Sequence, residues 1–458
     1  MSKQYGKPDA GYSIFKWYVR LLHNAFYYKK VYWIDTANIP DKGPLMIVSN
    51  HQNGLSDVLG ILMSIGTRQH RKIKVVARAD VFRFFGKGLR WLGLLPAYRL
   101  SYEGAASLKN NEDSFKEMEN ELLNDGTVVI YPEAGHQDKR WLGSFSQAYL
   151  HVLFKSAEKT NFEKEFFILP SCNHYSNYFE MREEMLIRYG TPVSIAPYYE
   201  LYRTKPRTAQ RKVNDIVRKQ VSDMMLNISD LENYEAIDYL RETYGIRYAQ
   251  DNGYNPADLS EKLKSDKQLF AELEEKKNEN EEKIRAIYKK TRELKSKTEQ
   301  LGITDRCFDA PKGHRRRVYS DMLIHLLLFP LYLLSSVPNA LLLCVPHYLK
   351  AKINDPLLHS GITFGAIVLL APVLYVITLI LLMCLVANSL WIAFAPFPTA
   401  FLYWLSLPIL GFFFFVYRKK SKLLKVALRF ERLLKKGKLN DIIDLRTHIF
   451  DSLDELLK

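Results

Sequence analysis

Residues 45–57 read LMIVSNHQNGLSD, and this stretch decides how the first half of the chain is organised. The apolar run at its start predicts a short strand that ends just before His51. Asp57 follows six positions later. A neutral imidazole can take a proton from an alcohol, and a nearby carboxylate can fix its tautomer and stabilise the imidazolium that forms. Gly54 would let the loop between them bend without a steric penalty from Cβ.

Short apolar runs alternate with helical patterns from this stretch to about residue 200. Runs that predict strands lie at 45–48, 73–77, 127–131, 166–169 and 185–189. Patterns that predict helices lie at 58–64 and 112–123. Strands that alternate with helices in this way are typical of an α/β fold with a mostly parallel central sheet.

A second polar loop follows the predicted strand at 127–131. It begins Pro132-Glu133-Ala134-Gly135 and continues to Lys139 and Arg140. In open α/β sheets, ligands bind beyond the carboxyl ends of the strands. Gly135 would let the backbone approach a phosphate or polyol closely, and the two cations would supply positive charge nearby.

Four short blocks occur in an order that resembles the glycerolipid acyltransferase family, which includes lysophosphatidic acid and glycerol-3-phosphate acyltransferases. The first is His51 with Asp57, and the second is LLPAYR at 94–99. The third is YPEAG at 131–135, and the fourth is FILP at 167–170. The resemblance covers roughly residues 40 to 200.

The resemblance implies direct transfer of a fatty acyl chain from acyl-CoA or acyl carrier protein to a hydroxyl of a glycerol-phosphate or lysophospholipid. His51 would be the general base and Asp57 its orienting partner. Arg99, Glu133 and Gly135 would shape the acceptor site. No metal and no cofactor beyond the acyl donor is expected.

Two positions depart from the family pattern. The usual His-x4-Asp spacing would end on Ser56, and one extra residue reverses the side-chain direction in an extended stretch. Asp57 is still preferred, because serine cannot supply the negative charge that steadies an imidazolium. Ala134 stands where the family usually has glycine, so the acceptor preference is less defined. A lipid esterase or thioesterase that uses the same pair, and an inactive scaffold that binds a partner through 208–300, are the alternative functions.

The C-terminal part is predicted to lie in a membrane. Residues 361–417 are almost free of charge and about twice as long as one spanning helix requires. We expect spans at about 362–386 and 397–416, and a re-entrant or interfacial segment at 322–345. Basic residues flank the block on both sides, so both flanks should be cytoplasmic and the number of crossings even. A third crossing at 322–345 would place the tail on the other side.

The remaining segments complete the expected organisation. Residues 1–30 form an interfacial helix or a helix packed on the core, 31–205 the catalytic domain, 206–310 a charged helical hairpin, 318–417 the membrane region and 418–458 a basic tail. The net charge of +15 is concentrated beside the membrane segments, which favours anionic lipid over nucleic acid as the partner. With no signal peptide visible, we expect an integral membrane protein with a cytoplasmic catalytic domain, in a bacterial inner membrane or its equivalent. Four cysteines give neither a disulfide framework nor a metal spacing.

Overall fold

The computed structural model describes residues 8–41, 43–68, 72–98, 106–133, 139–309, 314–353, 355, 358–388 and 397–457. The chain divides into two compact units. The first comprises residues 1–227 and 355–361, and the second comprises 228–354 and 362–458.

The elements of the chain are numbered in sequence order. The strands are β1 (Lys30–Ile34), β2 (Leu45–Ser49), β3 (Lys74–Arg78), β4 (Leu94–Ala97), β5 (Thr127–Ile130), β6 (Phe167–Tyr175), β7 (Glu184–Tyr189) and β8 (Val193–Ser194). The helices are α1 (Ala10–Leu21), α2 (Gly54–Arg68), α3 (Phe82–Trp91), α4 (Ala106–Leu123), α5 (Ala148–Lys159), α6 (Tyr199–Thr204), α7 (Pro206–Met224), α8 (Tyr234–Glu242), α9 (Tyr244–Asp251), α10 (Leu259–Glu279), α11 (Glu281–Leu301), α12 (His314–Asn339), α13 (Leu341–Lys350), α14 (Leu358–Asn388), α15 (Phe397–Lys435) and α16 (Asn440–Leu457).

Within the described part of the first unit, eight strands form one sheet in the order β1-β7-β6-β2-β5-β3-β4, with β8 beside β6. The strands from β6 to β4 run parallel to one another. Strands β1 and β7 are parallel to each other, and β7 is antiparallel to β6. The expected α/β class with a mostly parallel sheet is therefore confirmed.

Strand β2 lies in the middle of this sheet and is buried along its whole length. A central strand of a parallel sheet is covered on both faces, which explains why the sequence of β2 is a continuous apolar run. The chain leaves β2 toward β3 on one side, and leaves β5 toward β6 on the other. The carboxyl ends of β2 and β5 therefore form a topological switch point, where open α/β sheets bind ligands.

Helix α7 belongs to the first unit, although the sequence placed it with the charged helices after residue 205. Val213, Val217 and Val221 are fully buried in the same core as Leu153 and Phe154 of α5. These valines recur every four residues and so form one apolar face on an otherwise charged helix. The N-terminal segment of the first unit therefore extends to residue 227.

The second unit has a helical core that joins distant parts of the chain. Apolar side chains of α8, α9, α10 and α11 share this core with side chains of α15 and α16, among them Phe430 and Phe450. Arg446 reaches back to Asp305 at 2.9 Å and to Asp309 at 2.7 Å. The segment before α12 and the segment after the apolar part of α15 are thus folded together.

Helices α12, α14 and α15 are long and apolar enough to cross a membrane. The predicted spans fall within α14 and α15, and α15 continues without a break from its apolar part into the basic run after 417. Most of residues 322–345, which were expected to be re-entrant or interfacial, belong to the long helix α12. Leu326 and Leu327 on that helix are exposed, at 68% and 70%.

Candidate active site

The two loops singled out by sequence lie side by side at the carboxyl edge of the sheet. Strands β2 and β5 pair in parallel with Val48 opposite Ile130, so three residues further on His51 lies opposite Glu133. The backbone N–H of His51 donates to Oε1 of Glu133 at 2.7 Å. The sheet register therefore brings these two sequence blocks into direct contact.

His51 and Asp57 also meet. Nδ1 of His51 lies 2.9 Å from Oδ2 of Asp57. The Asp57 side chain is completely buried, whereas 15% of the His51 side chain is exposed. One edge of the imidazole is thus held inside the protein and the rest of the ring reaches the surface of the site.

Asp57 accepts hydrogen bonds from several donors. The backbone N–H groups of Gln52 and Asn53 both donate to its Oδ2, each at 2.8 Å. The hydroxyl of Tyr175 donates to its Oδ1 at 2.5 Å. The Asp57 carboxylate is an acceptor for each of these groups, and the Nδ1–H of His51 donates to it as well. The basic lone pair of the imidazole is therefore on Nε2.

The five-residue spacing is accommodated by a helix rather than by an extended loop. Helix α2 begins at Gly54, so Asp57 lies in its first turn. Gly54 has φ +43°, in the left-handed region that glycine enters at low cost. The alternation of side-chain directions that disfavoured Asp57 applies only to extended backbone, and the chain has already turned into a helix before it reaches this residue.

Glu133 accepts hydrogen bonds from two backbone N–H groups of the site. Its Oε1 accepts from His51, and its Oε2 accepts from the backbone N–H of Gly143 at 2.9 Å. Arg218 of α7 donates to the carbonyls of Gly143 and Leu142 at 3.2 and 3.3 Å. Burial raises the pKa of Glu133 from 4.5 to about 7, although the two N–H donors oppose the rise. Both oxygens are thus committed to backbone, so Glu133 links the His51 loop to the segment at 142–143.

The other predicted acceptor residues cannot be placed in the same way. Arg99 and Gly135 lie outside the described residues. Lys139 lies beside the site, since Nε2 of Gln52 donates to its carbonyl at 3.4 Å. Arg140 is only 3% exposed, and its guanidinium donates to the carbonyl of Tyr175 at 3.1 Å. The charge of Arg140 therefore supports β6 rather than facing an acceptor.

A cavity of about 210 Å³ opens beside His51, between the carboxyl ends of β3, β4 and β5 and helices α4 and α5. Most of its lining is apolar. The lining includes Val76, Ala77, Pro96, Ala97, Phe115, Met118, Ile130, Tyr131 and Tyr149, with Arg78, Asn111, Ser114 and Ser146 among the polar members. The ring of Tyr131 stacks on His51 with the ring centroids 4.3 Å apart. An apolar chain can therefore lie against the imidazole.

Tyr175 is the member of the site that the sequence did not single out. The strand was expected to end near Pro170, but β6 continues to Tyr175. Pro170 is tolerated because β6 pairs with β8 at Phe167 and Ile168 and with β7 only from Ser171 onward. An aromatic residue after the predicted strand is a weak signal, and its hydrogen bond with Asp57 depends on the continuation of β6 beyond the part that pairs with β2.

A metal site of three or more His, Cys, Asp or Glu side chains does not occur among the described residues. The four cysteines are unbridged, and Cys172 is buried.

Residues 30–172 match the family model described as Acyltransferase. No protein of curated function matches the chain. Among solved structures, the chain is similar to the 1-acyl-sn-glycerophosphate (LPA) acyltransferase PlsC from Thermotoga maritima, with 14% identity and a TM-score of 0.34 over 46% of this chain and 78% of that one. A likeness of this size carries no argument about substrate. The matched range holds His51, Asp57 and Glu133, so the residues of the site lie within the part of the chain that is similar to the Acyltransferase family model.

Proposed function

We propose that the protein transfers a fatty acyl chain from acyl-CoA or acyl carrier protein to a hydroxyl of a glycerol-phosphate or lysophospholipid. The observation that carries this proposal is the His51–Asp57 pair at the mouth of an apolar cavity. The pair supplies a base for an alcohol, and the cavity suits the chain of an acyl donor.

The chemistry needs no covalent enzyme intermediate. Nε2 of His51 takes the proton from the acceptor hydroxyl as the oxygen attacks the thioester carbonyl. Asp57 stabilises the imidazolium that results. The tetrahedral intermediate then expels the thiolate, which takes the proton back from His51. One ester bond forms, one thioester bond breaks, and the products are the acylated acceptor and a free thiol.

The charge around the cavity supports an anionic substrate. Arg78, at the carboxyl end of β3, lines the cavity and has 31% of its side chain exposed. Guanidinium groups suit phosphate oxygens because they donate in a planar fork. Arg78 therefore provides a phosphate contact for the acceptor or for the donor, whereas the family resemblance implies Arg99 as a residue that shapes the acceptor site.

The test is transfer of a labelled acyl chain by the full-length protein in lipid vesicles. We expect His51→Ala to abolish transfer and Asp57→Asn to reduce it strongly, while His151→Ala, on the exposed face of α5, behaves as wild type. Activity of His51→Ala within about twofold of wild type would refute the proposed base. Release of free fatty acid that persists when acceptor is supplied would identify an esterase instead. Absence of transfer with every acceptor, together with a partner that binds through 208–300, would identify a scaffold.

Contacts within each unit also constrain how the chain crosses the membrane. In the second unit, Phe430 and Phe450 share one core with residues 228–308. The segment before α12 and the part of the chain from the end of α15 onward therefore lie on one side of the bilayer. An even number of crossings must separate them. Three candidate helices cannot all cross.

The first unit supplies a second constraint. Residues 355–361 pack with residues 1–227, and Asp355 lies 3.9 Å from Arg78. An even number of crossings must therefore occur between 227 and 355, where α12 is the only candidate among the described residues. We infer that α12 and α13 enter and leave on the same side, and that α14 and α15 cross as a pair.

This topology predicts the accessibility of single cysteines placed in a protein without its four native ones. Lys352→Cys and Lys436→Cys should react with a membrane-impermeant maleimide from the same side of sealed vesicles, and Ala387→Cys, near the end of α14, from the opposite side. Opposite labelling of positions 352 and 436 would overturn the inference. If the catalytic domain faces the cytoplasm, positions 352 and 436 should label only in inverted vesicles.

A further inference from the structure

We propose that Ser360, in the first turn of the membrane helix α14, is a positioning residue of the active site. The inference deepens the proposed function, because it assigns a residue outside the acyltransferase domain to the loop that carries His51 and Asp57. Ser360 and that loop both belong to the first unit.

Ser360 is buried and bonded to the catalytic loop. Its hydroxyl donates to Oδ1 of Asn53, and its carbonyl accepts from the hydroxyl of Tyr27 at 3.2 Å. Ser360, Asn53 and Tyr27 are each no more than 2% exposed. A hydrogen bond in such a site is costly to lose, because water cannot replace the missing donor.

Asn53 links Ser360 to the reacting pair. Its backbone N–H donates to Oδ2 of Asp57 at 2.8 Å, and its side-chain amide donates to the carbonyl of Tyr178, also at 2.8 Å. With the Ser360 hydroxyl on its Oδ1, the Asn53 side chain is held at both ends. One residue thus separates Ser360 from the carboxylate that orients His51.

Packing beside this hydrogen bond leaves little free space. A Cβ atom on Gly361 would lie 3.3 Å from Cβ of Leu55, the second residue of α2. The missing side chain lets the start of α14 approach the start of α2 closely. Gly365, one turn further along α14, has no neighbour within 4 Å of the equivalent position.

Ser360 therefore holds the loop between His51 and Asp57 from outside the segment that carries the pair. Its hydroxyl fixes the Asn53 side chain, and the Asn53 backbone N–H binds the carboxylate of Asp57.

The experiment compares matched variants of the full-length protein in vesicles. Ser360→Ala removes the donor, and its control is Thr378→Ala on the same helix, whose hydroxyl donates to the carbonyl of Leu374 at 2.7 Å. Gly361→Val presses on Leu55, and Gly365→Val is its control, since valine has the same helix propensity at both positions. The readouts are kcat and KM for acyl transfer and the hydrogen-exchange rates of the amides at 50–57.

We expect Ser360→Ala and Gly361→Val to lower kcat by roughly threefold to tenfold, with KM within about twofold of wild type, as the loss of one buried hydrogen bond predicts. The amides of Gln52 and Asn53 should exchange faster by a similar factor. Both controls should match wild type in both readouts.

Three results would overturn the proposal. They are unchanged exchange at 50–57 in both test variants, faster exchange with an unchanged kcat, and an equal loss of kcat in the controls. If the wild-type protein transfers no acyl chain, the proposed function fails, and the exchange rates alone decide whether Ser360 holds the loop.

Discussion

Substitution of Glu133 by glutamine tests the link between the two loops of the site. The carboxylate accepts one backbone N–H on each oxygen, from His51 at 2.7 Å and from Gly143 at 2.9 Å. Glutamine has the same shape but only one acceptor oxygen, and its amide group would face the second N–H. One of the two backbone donors therefore loses its partner.

The pH dependence of stability gives this substitution a distinct signature. Burial raises the pKa of Glu133 from 4.5 to about 7. Between these values the native protein binds a proton that the unfolded chain has already released, so the free energy of unfolding falls as the pH rises. A pKa difference of about 2.5 lowers the free energy of unfolding by about 3 kcal/mol, and this decline is complete near pH 7. Glu133→Gln has no such proton and should lack this decline.

The measurement is the midpoint of thermal unfolding of the solubilised full-length protein between about pH 4.5 and 8. For a domain of this size, 3 kcal/mol corresponds to roughly 6–12 °C, so the difference between wild type and Glu133→Gln should change by that amount across the range. Glu119→Gln serves as the control, because Glu119 is also buried but pairs with Lys159 away from the site. Parallel pH profiles for wild type and Glu133→Gln would refute the reasoning.

Activity should respond differently from stability. At pH 8 the variant avoids burying a charge but leaves one N–H without an acceptor, so the two effects on stability partly cancel. The lost hydrogen bond to a charged acceptor is worth about 1.5–3 kcal/mol, and its loss weakens the anchoring of the His51 loop. We therefore expect kcat to fall by roughly tenfold to a hundredfold. Wild-type kcat at pH 8 in Glu133→Gln would show that the link is dispensable.

Two further substitutions probe the carboxylate partner and the cavity. Tyr175→Phe removes a hydrogen-bond donor to Asp57 and should lower kcat about tenfold in the acyl-transfer assay. The control is Tyr189→Phe, because Tyr189 is also buried but its hydroxyl contacts Ser64, and this variant should keep the wild-type kcat. Equal effects of the two substitutions would contradict the role of Tyr175. Ala97→Phe should fill the cavity and shift selectivity toward shorter acyl chains, by about fourfold for each excluded methylene at 0.8 kcal/mol. Competition among donors of increasing chain length measures that shift, and an unchanged preference would place the acyl chain elsewhere.

The central sheet and the two loops of the site could be predicted from sequence because both depend on local patterns. The apolar runs at 45–48 and 127–131 became β2 and β5 within one residue at each end. Parallel pairing then forces the loops after them together. The edge strand β1 was missed, since its alternation of Lys30, Tyr32 and Ile34 with Val31 and Trp33 gives no clear apolar face.

Contacts between distant segments could not be predicted in the same way. Ser360 lies 307 positions from Asn53, and nothing in a Ser-Gly pair before an apolar stretch identifies its partner. Arg140 was expected to carry free positive charge, but the fold buries its guanidinium against β6. In both cases the role of a side chain depends on which strands and helices are neighbours, and a single sequence does not specify that.

The spacing between His51 and Asp57 illustrates what a motif does and does not determine. In this chain Gly54 turns the backbone, α2 begins, and Asp57 falls in the first helical turn, where the N–H groups of Gln52 and Asn53 point at its carboxylate. The positive end of a helix stabilises a negative charge at that position. An acidic residue one position earlier would stand about 100° away around the same helix, beyond those donors. The criterion for the pair is therefore an acid in the first turn that the preceding backbone can bind, and the number of residues between histidine and acid follows from where the helix begins.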